Sequence, residues 1–324
     1  MIPEVSVVIP THRRPALLKR SIESALCQGS ARIEVVVVSD GPDPETNRLV
    51  SAIGDPRIRL LELASRSGAP AARNAGVMAA RAPYVGFLDD DDEWLPAKLS
   101  TQLNLAGPNL FVACRATVVE SGSQRTLPRR LPRDGEHFAD YLFTRHSPFR
   151  DEGSLATSMI LAPRDLLREI PFRANLRKHQ EADWAIRATA LGAKCVFAPE
   201  VLVVLHSPVG PRVSNSGDWR DSLAWVQSVK GLVPASAYSA FVLTSVASFA
   251  SRDRDLSAIP QLLSQACQNG PVNPIHLAVF ASLFVLPASA RARIRHSTLE
   301  AASKLSRWTP VGRDAATRFA HDEE

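Results

Sequence analysis

The chain has 324 residues, 45% of them hydrophobic and 22% charged, which is the balance of an ordinary globular protein with one large domain or a domain plus an appendage. Its formal charge of +5 allows an anionic partner such as a nucleotide, a nucleic acid or a membrane surface. The four cysteines, Cys27, Cys114, Cys195 and Cys267, are scattered and form no C-x-x-C pair, which argues against a zinc site or a disulfide framework and fits a reducing compartment.

Residues 1–10 carry an acidic Glu4 and read as a strand, not as a secretory leader. Val5-Ser6-Val7-Val8-Ile9 is the strand, ending at Pro10-Thr11. Residues 15–28 predict a helix with Leu17, Leu18, Ile22, Ala25 and Leu26 on one side. A second strand at 33–38 stops at Ser39-Asp40-Gly41-Pro42, and a helix follows at 44–53. A strand at 57–63, a helix at 71–80 and a strand at 84–88 complete the regular part. Farther on, strands are expected at 110–113 and 156–162, and an exposed, mobile insertion at 122–150 around a short helix near 138–143. A helix is expected at 183–191, then one or two strands at 194–205 broken at Pro199. From Trp219 helical patterns dominate, with breaks near Pro234, Asp253, Pro271 and Pro287, so a boundary is placed near 215, dividing 1–215 from 216–324.

Strand–helix alternation implies parallel pairing with right-handed crossovers. Strands 5–9, 33–38 and 84–88 are continuously apolar, as when both sheet faces are covered. Ligands of such sheets bind beyond the carboxyl ends of the strands. Thr11, Asp40 and the run Asp89-Asp90-Asp91-Asp92 all lie just past such ends. Four adjacent carboxylates repel one another unless something positive sits there, and hard oxygen ligands suit Mg²⁺ or Mn²⁺ shared with substrate phosphates. The plainer alternative is a solvated acidic turn capping a helix that starts near Trp94.

Four blocks carry a resemblance: residues 5–11, Val38-Ser39-Asp40-Gly41, Ala72-Arg73-Asn74-Ala75-Gly76, and residues 87–99 from Phe87 through the acidic run to Leu99. In order and spacing they resemble family 2 glycosyltransferases over roughly residues 3–215. The resemblance implies a GT-A, Rossmann-like α/β fold: an open, mostly parallel sheet with helices on both faces, here followed by a C-terminal helical appendage. It implies that Pro10 and Thr11 touch the nucleotide and that Asp40 accepts from a base N–H, usually of uracil. Ser39 stands where many members carry another acid, which leaves the nucleobase open. Arg73 and Asn74, near a helix N-terminus, would face the diphosphate, although Arg73 can equally buttress the aspartates. Asp89 and Asp91 form the D-x-D motif that would hold Mn²⁺ or Mg²⁺, with Asp91 the first choice, Asp89 toward ribose or metal, Asp90 at the nucleotide and Asp92 as a helix cap.

The stretch from His179 to Arg187 resembles the family's acidic motif, whose catalytic base falls on Glu181, with Asp183 as the alternative. An acidic first helical turn is the structural reading of the same residues. His206 would be a metal or phosphate ligand, or merely structural, and Arg212 a phosphate clamp. Trp94 and Trp184 suit sugar stacking or core packing. Near the end, Arg291, Arg293, Arg295, His296, Lys304 and Arg307 follow an apolar segment at 275–286, which reads as a buried helix or as a peripheral contact with an anionic membrane face. The basic stretch has no interleaved aromatics, so a nucleic-acid partner is not expected.

The function expected is metal-dependent, inverting transfer from a nucleotide-sugar, a UDP-sugar first, to a hydroxyl acceptor. That acceptor would be a glycan or lipid-linked glycan in surface polysaccharide or glycoconjugate synthesis. The expected location is cytoplasmic, peripheral contact with the inner membrane face included. A sugar nucleotidyltransferase and a non-catalytic nucleotide-sugar-binding protein are the alternatives.

Overall fold

Valine-rich runs that cannot be solvated set the centre of the molecule. The computed structural model describes residues 2–29, 31–120, 123–147, 152–207, 218–287 and 290–291. Strands β1 (Val5–Thr11) and β2 (Ile33–Ser39) are buried along their whole length. Helix α1 (Pro15–Leu26) joins them, and α2 (Pro44–Ile53) leads from β2 to β3 (Ile58–Glu62). Pro44 opens α2 and the Asp43 side chain accepts from Glu45 N and Thr46 N, while Gly54 closes it in the left-handed region. Helix α3 (Ala69–Ala79) then crosses to β4 (Tyr84–Phe87). Gly76 on α3 touches β1 so closely that a Cβ would sit 2.3 Å from Val8 Cγ1.

β3, β2, β1 and β4 pair in parallel, in that spatial order, as expected from the alternation. Thr11 lies opposite Ser39, Ser39 opposite Glu62, and Val8 opposite Phe87. The segments that follow β1, β2 and β4 therefore leave the sheet at one edge.

The second half of the sheet is mixed. It comprises β5 (Glu93–Trp94), β6 (Leu110–Glu120), β7 (Ser123–Leu127), β8 (Leu161–Pro163) and β9 (Lys194–Ser207). The full order is β3-β2-β1-β4-β8-β6-β9-β5, with β7 paired to β6. β8 runs antiparallel to both β4 and β6, whereas β6 and β9 are parallel.

Several expectations need correction. No helix begins at Trp94: β5 pairs antiparallel with β9, and helix α4 (Lys98–Leu105) starts four residues later, after Ala97. The strand expected at 156–162 is a 3-10 turn, Thr157–Met159, followed by the shorter β8. Within the insertion expected at 122–150, the described residues 123–147 hold more regular structure than their composition suggests. It opens with the β6–β7 hairpin, and helix α5 (Phe138–Phe143) packs Phe138 on Phe111 and Tyr141 on Phe197. Pro199 does not end the strand. The register jumps from Cys114↔Ala198 to Arg115↔Val201, so Pro199 and Glu200 are bulged out, where a missing N–H costs no ladder bond.

Helices α6 (Arg164–Glu169) and α7 (Gln180–Ala190) flank the sheet. Beyond residue 217 lie α8 (Trp219–Ser228), α9 (Ala235–Phe241), a π-helical stretch (Val242–Val246), α10 (Ala247–Arg252), α11 (Ala258–Asn269) and α12 (Pro274–Val285). Their apolar core includes Ala139 of α5 and Ile186 of α7, so it is continuous with helices that precede residue 217. α12 buries His276, Phe280 and Leu283 and exposes Leu277 and Val285. No helix among the described residues is long and apolar enough to cross a membrane.

Candidate active site

A cavity of about 1490 Å³ opens at the carboxyl edge of β1, β2 and β4. Pro10, Thr11, Asp40 and Asp89 to Asp92 line one wall, and His179, Gln180 and Glu181 line another. Phe241, Thr244, Ser245, Ser248 and Phe249, from the C-terminal helices, contribute as well. The volume exceeds the ~300–1,000 Å³ usual for a single small ligand.

The acidic run divides by alternation. The Asp89 and Asp91 side chains are 33% and 24% exposed, whereas that of Asp90 is 9% exposed. Asp90 accepts from Thr11 Oγ1 at 2.8 Å. Asp92 accepts from Ser158 Oγ at 2.6 Å and from His206 N at 3.2 Å. Burial pushes the Asp90 carboxyl up to about 6, against the pull of the Thr11 hydroxyl and Arg14. Burial, reinforced by the charge of Asp89, also raises Asp92 well above the carboxylate range. Asp92 therefore braces the turn and is not the helix cap expected of it.

The positive groups that the cluster requires come from α3, from α1 and from Arg14 just before it. Arg73 is 4% exposed; its Nη2 donates to Asp89 Oδ1 at 2.5 Å and its Nη1 to Gln180 Oε1 at 2.6 Å. Arg14 lies 3.4 Å from both Asp90 and Asp91, and Arg20 donates to Asp91 O at 2.6 Å. Arg73 thus joins the acidic turn to the first turn of α7, the buttressing alternative for this residue. Arg14, Arg20 and Ser158 were not singled out from the sequence. The signal for the arginines was the cluster itself, which demands cations.

Asn74 does not face the cavity. Its amide donates to Phe172 O at 2.8 Å and accepts from Phe172 N at 2.9 Å, which pins Phe172 edge-on to Phe87. Both oxygens of Asp40 accept backbone amides, from Ser67 N at 2.6 Å and Gly68 N at 2.9 Å, ordering the entry to α3. Each carboxylate oxygen has a further lone pair to offer.

The two candidate bases on α7 have different surroundings. Asp183 is wholly buried and held by Arg187 at 2.8 Å, Arg173 at 3.2 Å and Trp225 Nε1 at 3.1 Å. Glu181 is half-buried in the cavity wall, and among the described residues no ion pair reaches it. Burial raises its carboxyl above the ordinary range, while Arg73 pulls it down and Asp89 pushes it up. A carboxylate raised in this way is a stronger base. His179 precedes α7 with φ of 61°, a left-handed conformation costing a non-glycine roughly 1–2 kcal/mol. Burial lowers its imidazole to about 3, so it is neutral at physiological pH.

His206 lines the cavity with Nε2 2.5 Å from Glu93 Oε1. Arg212 lies outside the described residues. Trp94 and Trp184 are core residues, donating to Ser158 O and Ile170 O. No group of three or more His, Cys, Asp or Glu side chains among the described residues is placed to hold a metal ion. The two more open carboxylates, Asp89 and Asp91, nevertheless form a donor set suited to Mg²⁺ or Mn²⁺, which commonly take one or two carboxylates and complete their shell with phosphate oxygens and water.

The family model described as glycosyl transferase family 2 matches residues 6–170, from β1 through α6. Glu181, Asp183 and His206 lie beyond that match. The succinoglycan biosynthesis protein ExoO of Rhizobium meliloti is 30% identical over 212 residues, 63% of this chain and 61% of ExoO, so less than two thirds of that relative is spanned. Residues 1–349 of S. aureus TarS, in complex with UDP-GlcNAc, superpose with a TM-score of 0.61 at 16% identity, covering 94% of this chain and 92% of that one. The mannosyltransferase PcManGT from Pyrobaculum calidifontis, in complex with GDP-Man and Mn²⁺, gives a TM-score of 0.56 at 19% identity, with 95% and 88% covered. At these identities the structural likeness speaks for the fold.

Proposed function

Because the chain belongs to glycosyl transferase family 2, we propose that it moves a sugar from a nucleotide-sugar to an acceptor hydroxyl with inversion at the anomeric carbon. The observation that carries this reading is the meeting of Asp40 and the Asp89–Asp91 turn with Glu181 across one cavity. Thr11, Pro10 and Asp40 hold the nucleoside. Asp40 keeps lone pairs for an imide N–H, which favours a UDP-sugar. Asp89 and Asp91 are the residues that would hold Mn²⁺ or Mg²⁺. Bound there, the cation would neutralise charge developing on the departing diphosphate.

Glu181, with its raised basicity, takes the proton of the acceptor hydroxyl as the new oxygen–carbon bond forms and the sugar–phosphate bond breaks. We assign this role to Glu181 and not to Asp183, whose carboxylate is committed to two arginines and Trp225. Arg73 holds the donor side and α7 in register. His206 lines the cavity and meets Glu93 through Nε2, so any ligand role falls to its Nδ1.

The acceptor is a glycan or lipid-linked glycan in surface-polysaccharide synthesis, in keeping with the process named for ExoO. A cytoplasmic enzyme in peripheral contact with the inner membrane face through the exposed side of α12 belongs to the same proposal; Arg293, Arg295, His296, Lys304 and Arg307 lie outside the described residues.

The test is a panel of UDP-, GDP- and dTDP-sugars with Mn²⁺ or Mg²⁺, following release of the nucleoside diphosphate. Release from UDP-sugars is expected, with Glu181→Gln slowed roughly 10²–10⁴-fold. Pyrophosphorolysis without sugar transfer, or tight binding without any turnover, contradicts the reading.

A further inference from the structure

The residues two before and two after Glu181 are held by one side chain from the C-terminal third. Trp225 of α8 stacks on His179 with ring centroids 4.6 Å apart and planes inclined by 24°. Its Nε1 donates to Asp183 Oδ1 at 3.1 Å. His179 Nε2 also meets Ser222 Oγ of the same helix at 2.9 Å, and Phe241 lies edge-on to both rings, 5.1 Å from each. Trp225 is 3% exposed, and neither it nor Asp183 is among the described residues lining the cavity.

The backbone at His179 is left-handed, a conformation its own preferences do not select. Something must therefore hold it. Gln180, the next residue, is tied to Arg73, and Glu181 follows. The direction in which Glu181 leaves the helix start is fixed by how His179 and Asp183 are clamped. From this geometry we infer that Trp225 is a positioning residue for the catalytic carboxylate, with Ser222 assisting through His179. The C-terminal helices thereby set the geometry of proton removal, besides adding wall to the cavity. This inference rests on the proposed role of Glu181.

Trp225→Phe keeps a ring for stacking and deletes the Nε1 donor. Its kcat with a UDP-sugar and Mn²⁺ should fall roughly ten- to a hundredfold, because small misplacements of a reacting group have effects of that order. The KM for donor and the affinity for UDP should stay as in the parent. The deciding measurement is a double-mutant cycle. If Trp225 acts through Glu181, Trp225→Phe costs nothing further in a Glu181→Gln background. An equal loss in both backgrounds, an unchanged kcat, or a loss confined to donor KM overturns the inference. Should Trp225→Phe fail to fold, Ser222→Ala, expected to lose kcat several-fold and again only when Glu181 is present, carries the same cycle. Full activity in Glu181→Gln would remove the base assignment itself. Activity lost in Glu181→Gln but untouched by the Trp225 and Ser222 changes removes this inference alone.

Discussion

Lys98 is a fully buried ammonium, donating to Gln102 Oε1 and lying 3.9 Å from the centre of the Trp94 ring. Burial lowers it from 10.5 to about 8. The unfolded chain therefore binds more protons between pH 8 and 10.5, so this group makes stability rise with pH across that window. The shift corresponds to roughly 3 kcal/mol. Cys114, pushed up to about 11 by burial, works in the opposite sense, so the comparison must be made against a variant. Urea unfolding of the parent and of Lys98→Met from pH 7.5 to 10.5 should show the parent gaining on the variant, and parallel curves would refute the assignment. Asp91 gives the contrasting case. It adds to the repulsion felt by Asp90 and Asp92, and its partner Arg14 is half exposed. Asp91→Ala should therefore melt at a higher temperature, by the equivalent of roughly 0.5–1 kcal/mol. Its turnover of donor should drop roughly 10²–10³-fold, and a variant that is less stable yet fully active would contradict both expectations. Residue identities at the acidic turn were legible because like charges in a row require an explanation. That Arg14 and Arg20, just before and within α1, would supply it was not, since pairing over some 70 residues leaves no local pattern.

The parallel unit from β1 to β4 could be read almost element by element, because apolar runs bounded by Pro, Gly and Asp say both where strands lie and where they stop. β5 and β8 could not. They span two and three residues, too short for any periodicity, and exist because β9 and β4 offer them partners. Asp92 reads as a cap from sequence because its partners, Ser158 in the 3-10 turn before β8 and His206 on β9, are brought to it only by the tertiary fold. Gly76 shows packing acting on a single position. An added methyl would lie 2.3 Å from Val8 Cγ1 and 3.2 Å from Val38 Cγ2, so α3 would have to lift from the sheet. Gly76→Ala should cost roughly 1–3 kcal/mol despite the better helix propensity of alanine. Denaturant titration checks this, and an unchanged or raised midpoint would show that the helix shifts without penalty. Because α3 carries Arg73, the same variant should also weaken the link from Asp89 to Gln180.

At the scale of the whole molecule, a change in sequence character near 215 marks the start of the helical region without saying how independent it is. The contacts bind the two parts tightly. Phe143 of α5 packs against Trp225 and Phe241, with centroids 6.1 and 4.7 Å away, and Asp140 accepts from Ser236 Oγ at 2.8 Å. Removing residues 216–324 would uncover Ile186, Ala139 and Phe143. It would also take from Asp183 the hydrogen bond of Trp225, leaving the two arginines, and leave His179 in a strained backbone with no ring stacked on it. Exposed apolar area of this kind costs about 25 cal/mol per Å², and a hydrogen bond lost by a charged group gives up roughly 1.5–3 kcal/mol more. Against the small net stability of a domain, those losses are decisive. A fragment of residues 1–215 should therefore be insoluble or melt far below the full chain, as read by solubility on expression and thermal scanning. A fragment that melted like the parent and still released nucleoside diphosphate at the parent's rate would show that the helices are dispensable to both fold and base.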